Sequence, residues 1–151
     1  MKRLNILALI VAFLWVSSSF ALDLKKFEGH WVGSGKIIVS WCKQKKLNFD
    51  IKIDSKGKIS GKIGDAKIKG GKIYSNFLGI LNRDYVIEVE LEGFVVKKEK
   101  IKRKKMRLMV DTKGDYLIGA FRSSGLKIGD KNSMAMTGVD LVLKKVEKTK
   151  K

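Results

Sequence analysis

Hydrophobic and polar residues alternate along most of this chain. In Leu47–Asp54, Leu47, Phe49, Ile51 and Ile53 share one face, while Asn48, Asp50, Lys52 and Asp54 share the other. In Asp84–Glu92, Tyr85, Ile87, Val89 and Leu91 oppose Asp84, Glu88, Glu90 and Glu92, with Val86 the one exception. A strand sends successive side chains to opposite faces, whereas a helix would scatter these residues around its axis. The same period predicts strands over Trp31–Trp41, Lys58–Ile63, Ala66–Lys69, Lys72–Ser75, Ile101–Asp111, Asp115–Ser123 and Ser133–Val146.

Turn residues fall between these segments. Asp54-Ser55-Lys56-Gly57 and Asp111-Thr112-Lys113-Gly114 each place Asp first and Gly last, the preference of type I turns. Gly70-Gly71 suits a two-residue hairpin, and Gly64-Asp65 a similar one. No amphipathic helix stands out and Pro is absent. The expected fold is all-β: a single antiparallel up-and-down β-barrel of about 8–10 strands, with a β-sandwich as the alternative. The nearly continuous hairpin order favours the barrel. Closure also removes free strand edges, which this chain has no Pro to block. Gly33, Gly35, Gly61 and Gly119, inside strands, are expected to ease sharp curvature.

The first residues follow a different pattern. Lys2 and Arg3 precede an apolar run from Leu4 to Val16, then Ser17 to Ser19 and the triplet Ser19-Phe20-Ala21. A charged start, a short apolar run and small residues at −3 and −1 describe a secretory signal peptide. Residues 1–21 are therefore expected to be the leader, and 22–151 the barrel domain. The apolar run falls short of the roughly 20 residues that span a bilayer. The expected destination is the periplasm or the extracellular space, with a chain that does not span the membrane once mature.

Charge and composition narrow the chemistry. The chain of 151 residues carries 33 Lys and Arg against 15 Asp and Glu, a formal net charge of +18. Without Lys2 and Arg3 the balance is 31 against 15, or +16. One Cys and one His leave no basis for a disulfide framework within one chain or a histidine-rich metal site. Cys42 reads as a partly buried thiol acting as a small hydrophobe, with an intermolecular disulfide as the alternative. No Gly-x-Ser-x-Gly nucleophile motif occurs, and His30 stands alone, so no enzyme activity, catalytic residue, metal or cofactor is expected. Gly125–Ser133 superficially suggests a phosphate loop. It has the wrong length and lacks the strand-then-helix context that gives such a loop its mechanism.

The opening of the barrel domain carries a resemblance. Gly29-His30-Trp31, at the start of the first predicted strand, resembles the Gly-x-Trp of the calycins: lipocalins, fatty-acid-binding proteins and the avidin group. The resemblance implies that Trp31 closes one barrel end and that a basic side chain late in the chain, Arg122 or Lys144, packs across it. It also implies a small apolar or amphipathic ligand, held among Trp31, Trp41, Phe49, Tyr85, Phe121 and Arg122.

A second reading starts from Lys97–Arg107, the most basic stretch. Lys102, Arg103, Lys104, Lys105 and Arg107 would bind polyanions such as lipopolysaccharide, anionic lipid or an acidic protein. Export, and the lack of a set of exposed aromatic residues near the run, argue against nucleic acid as the partner. Cross-strand pairing with Glu88, Glu90 and Glu92 would occupy part of the run structurally. An inhibitor or partner of another exported protein is a further possibility.

Overall fold

The computed structural model describes residues 22–76, 85–125 and 134–146. Ten strands run in chain order: β1 Gly29–Ile37, β2 Lys46–Ile53, β3 Ile59–Ile63, β4 Ala66–Ser75, β5 Tyr85–Glu92, β6 Phe94–Val96, β7 Ile101–Lys102, β8 Lys105–Lys113, β9 Tyr116–Ser123 and β10 Met136–Val146. Eight of them form a closed antiparallel barrel in the order β1-β2-β3-β4-β5-β8-β9-β10, with β10 returning to pair with β1. This is the expected up-and-down barrel, the general architecture of the calycins. β6 and β7 form a separate two-stranded sheet inserted between β5 and β8. The expected leader lies outside the described residues, as do the segment 126–133 and the lysines beyond Val146. Among the described residues no helix is long and apolar enough to cross a membrane.

Alternation becomes inside and outside. β2 reads exposed-buried four times over, so Leu47, Phe49, Ile51 and Ile53 face the core. The interior packs these against Trp31, Ile63, Ile87, Val89, Leu108, Phe121 and Leu143. Phe49 and Phe121 meet edge to face with ring centroids 5.2 Å apart. The Asp54 turn forms as expected: Gly57 N donates to the Asp54 carbonyl, and the Asp54 carboxylate accepts from the Lys56 and Lys58 amides.

Four expectations are corrected. Gly70-Gly71 is not a hairpin: β4 runs through it, with a register shift between Ile68 and Gly70. A Cβ at Gly71 would lie 2.3 Å from the Glu88 carbonyl, so glycine there serves the close approach of β4 to β5. The turn placed at Asp111–Gly114 lies further on, at Gly114-Asp115, because Asp111 to Lys113 continue β8 and Lys113 pairs with Tyr116. The strand expected over Ile101–Asp111 breaks at Arg103-Lys104 into β7 and β8. The strand expected to reach Trp41 ends at Ile37.

The outer wall carries the charge. Register places Glu88 opposite Arg107 and Glu90 opposite Lys105. Arg107 Nε donates to Glu88 at 2.6 Å, Lys72 lies 3.7 Å from the same carboxylate, and Lys105 lies 3.2 Å from Glu90. Arg107 holds the Glu88 carboxyl below the usual glutamate range, against a smaller opposing effect of burial. An acid depressed in the folded state stabilises above its unfolded pKa, about 4.3, and that contribution is lost as pH falls through the lower folded value. Glu88→Gln is therefore expected to be less stable than the parent at pH 7. The difference in urea midpoint between the two proteins should shrink as the pH is lowered from 5 towards 2. A constant difference would show that charge at Glu88 contributes nothing.

Candidate functional site

The two barrel ends are built differently. At the end where β1 begins and β10 finishes, a 3-10 turn at Leu24–Lys26 delivers Phe27 into the core. The Phe27 carbonyl accepts the Trp31 indole N–H at 2.7 Å, and its ring meets Tyr85 edge to face at 4.9 Å. The Lys145 ammonium sits 5.4 Å from the centre of the Trp31 ring. The basic residue across the tryptophan is thus Lys145, neither Arg122 nor Lys144. A bulge explains the shift. Gly138 pairs with Phe121, but the next pair is Leu141 with Gly119, so the two residues between them shift the alternation of β10 by one. Lys145 then faces Trp31, and Lys144 faces out.

The opposite end is covered by a lid made of the insertion between β5 and β8. Val95, Val96 and Ile101 bury their side chains in the core beneath it. Neighbouring connections pin it down. Asp65 N donates to the Val95 carbonyl, and Lys97 N donates to the Asp65 carboxylate. The Glu99 carboxylate accepts the amides of Gln44 at 2.7 Å and Lys43 at 3.0 Å, from the loop joining β1 and β2. The Cys42 thiol meets the same carboxylate at 3.6 Å. Burial and the Glu99 charge push that thiol up from its ordinary pKa, which keeps it protonated. With Cys42 buried, a disulfide between chains would first require this loop to open.

Arg103 belongs to the packing of this end. It is 1% exposed, with its guanidinium 5.3 Å from the centre of the Trp41 ring. Its terminal nitrogens donate to the carbonyls of Lys102 and Met134. The exposed cations of the lidded end include Lys43, Lys97, Lys98, Lys100, Lys102 and Lys104. Lys45 spends its ammonium on the carbonyls of Val39 and Cys42, and Lys102 lies over the Phe94 ring at 4.7 Å. The carboxylates set among these lysines, Asp65 and Glu99, accept backbone N–H groups. An open cleft of about 690 Å³ is lined by Lys43, Gln44, Lys98, Glu99 and Lys100.

The structure therefore divides both expected residue sets. Of the cations, Lys102 and Lys104 lie on the lid, Arg103 is buried, and Lys105 and Arg107 pair with Glu90 and Glu88 on the outer wall. Of the ligand set, Phe49 and Phe121 touch inside the barrel. Trp31 and Tyr85 lie towards one end, and Trp41 packs with the lid at the other. Arg122 is exposed on the outer wall, opposite Arg107, and joins none of them. Lys43 and Glu99 are the residues that sequence reasoning missed. Lys43 lies outside the Lys97–Arg107 run, and Glu99 reads as its lone opposing charge. Among the described residues no three His, Cys, Asp or Glu side chains cluster as metal ligands.

Comparison with family models, with characterised proteins and with solved structures finds no match to this chain.

Proposed function

We propose that this protein is an exported, non-enzymatic binding barrel whose lysine-crowned, lidded end captures anionic groups of a lipid headgroup or polysaccharide. One observation carries the reading. Six exposed lysines of this end outnumber the two carboxylates among them, and both carboxylates accept backbone N–H groups. Cations in excess over neighbouring acids raise the local anion concentration and accelerate anion encounter. A ligand held inside the barrel has less support, because the interior rings already pack on one another: Phe49 on Phe121, and Trp31 fixed to Phe27. The apolar core does retain a second reading. The mouth is covered by a flap tied through Glu99 and Asp65 instead of by the barrel ladder, and an amphiphile's tail would enter beneath it.

Retention on immobilised heparin and on lipopolysaccharide tests the main reading. Substituting Lys98, Lys100, Lys102 and Lys104 with Glu should abolish retention at about 0.15 M salt. It should also lower the slope of log affinity against log salt by about 1 for each lysine–anion pair removed. The control substitutes Lys25, Lys52, Lys56 and Lys58 with Glu at the opposite end, an equal change in net charge. Equal losses from both sets would reduce the effect to net charge and overturn the assignment.

A further inference from the structure

The barrel exterior has two unlike sides. Outward positions on β2, β3 and β4 hold Lys52, Lys62, Lys67, Lys69 and Lys72, all exposed. The corresponding positions on β1, β10 and β9 hold exposed apolar residues among polar ones. Val32 is 40% exposed, Tyr116 39%, Val142 43% and Val146 46%. Register makes them one patch. Val32 faces Lys144, which faces Tyr116, and in the next row Ser34 faces Val142, which faces Ile118. Contiguous exposed apolar surface of this kind marks an interaction site, whereas single exposed residues are ordinary.

From this we infer that the β9–β10–β1 wall is a docking surface for a second copy of this chain. Three features select that partner. The described barrel strands form a closed ring, so chains cannot add edge to edge and must associate through a face. The patch carries both signs: Lys144 lies within it, between Val32 and Tyr116, and Lys36, Lys113, Asp115 and Asp140 border it. A two-fold interface brings a patch against itself and therefore needs such self-complementary charge. An anionic membrane or an acidic protein would instead meet Asp115 and Asp140. Finally, the patch holds a recess. A cleft of about 470 Å³ is lined by Val32, Asp115, Lys144, Lys145 and Val146, and the exposed Tyr116 pairs with Lys144 in the same row. Tyrosine is enriched at the cores of protein interfaces.

Salt gives the association a signature opposite to that of anion binding. The net charge, +16 without the expected leader, repels two copies at long range, so added salt screens the repulsion and strengthens the dimer. Sedimentation equilibrium of the purified chain between micromolar and millimolar concentration is the test. The expected result is a mass rising towards twice that of the monomer, sooner at 0.5 M than at 0.05 M salt. Val32→Lys with Val142→Lys, both at exposed positions, should leave a monomer throughout. Lys144→Glu should weaken the dimer, and adding Asp115→Lys should restore it. A parent that stays monomeric, or a dimer that survives the two lysines, overturns the inference. So does a monomer that sediments with phosphatidylglycerol vesicles and loses this with the same two substitutions, which would assign the wall to a lipid surface.

Discussion

Trp31→Ala is expected to lower the free energy of unfolding by about 3–5 kcal/mol, the range for removing a large aromatic side chain from a core. The indole is 1% exposed, and three interactions depend on it. It fills the end of the barrel, it donates to the Phe27 carbonyl, and it lies under the Lys145 ammonium. Truncation leaves a cavity, a carbonyl without its donor and a lysine stem without its platform. The unmet carbonyl alone costs about 1–3 kcal/mol where water cannot reach it. Guanidinium melts of Trp31→Ala and Trp31→Phe separate the contributions. Phenylalanine keeps most of the volume and loses the hydrogen bond, so its cost should be less than half that of alanine. Equal costs would mean that the hydrogen bond, not packing, fixes this end.

Gly33→Ala should be more damaging still, although it adds a single methyl group. A Cβ at Gly33 would lie 2.0 Å from the Val142 carbonyl oxygen and 2.9 Å from the Leu143 Cα. Both neighbours are backbone, so no side-chain rotation relieves the clash, and the β1–β10 seam must separate. A loss above about 4 kcal/mol, the exceptional range for one substitution, is expected. The observable outcome is a chain without native circular dichroism, or one recovered only as aggregate. Gly70→Ala is the matched control, because nothing lies within 4 Å of a Cβ there. It should be neutral, or stabilising by about 0.4–1 kcal/mol through the reduced entropy of the unfolded chain. A folded, cooperative Gly33→Ala protein would show that the seam tolerates displacement.

The periodicity of β2 and β5 was enough to read the barrel, because an unbroken two-residue period has one structural meaning when a single face must be buried. Gly64-Asp65 was legible as a turn for the same local reason, and so was a facing of the basic run by Glu88, Glu90 and Glu92, though not which cations would meet them. Bulges defeated the reading elsewhere. The extra residue between Gly138 and Leu141 reverses the alternation and conceals Lys145 from any count by twos. Gly70-Gly71 carries the chemistry of a turn, yet the neighbouring strand β5 captures it as strand. The lid was illegible because Val95-Val96 is an adjacent apolar pair with no period of its own. Arg103 looked like one cation in a basic run, and only its place beneath Trp41 shows it to be core. The candidate site joins Lys43 to Lys98 and Lys100 across the lid, a proximity created by the Glu99 hydrogen bonds and invisible in local spacing.

The pairing of β1 with β10 also sets an order of events. Of the barrel strands, residues 29–37 are synthesised first, and the strand that completes their ladder, residues 136–146, is synthesised last. Pairings of such high sequence separation make folding slow, on the order of milliseconds to seconds for barrels of this kind. Until β10 arrives, β1 presents an open edge that a second chain can pair with as readily as the first. The lysines spread over the polar faces then serve the unfinished protein as well as the finished one, since like charge keeps incomplete sheets apart during that interval.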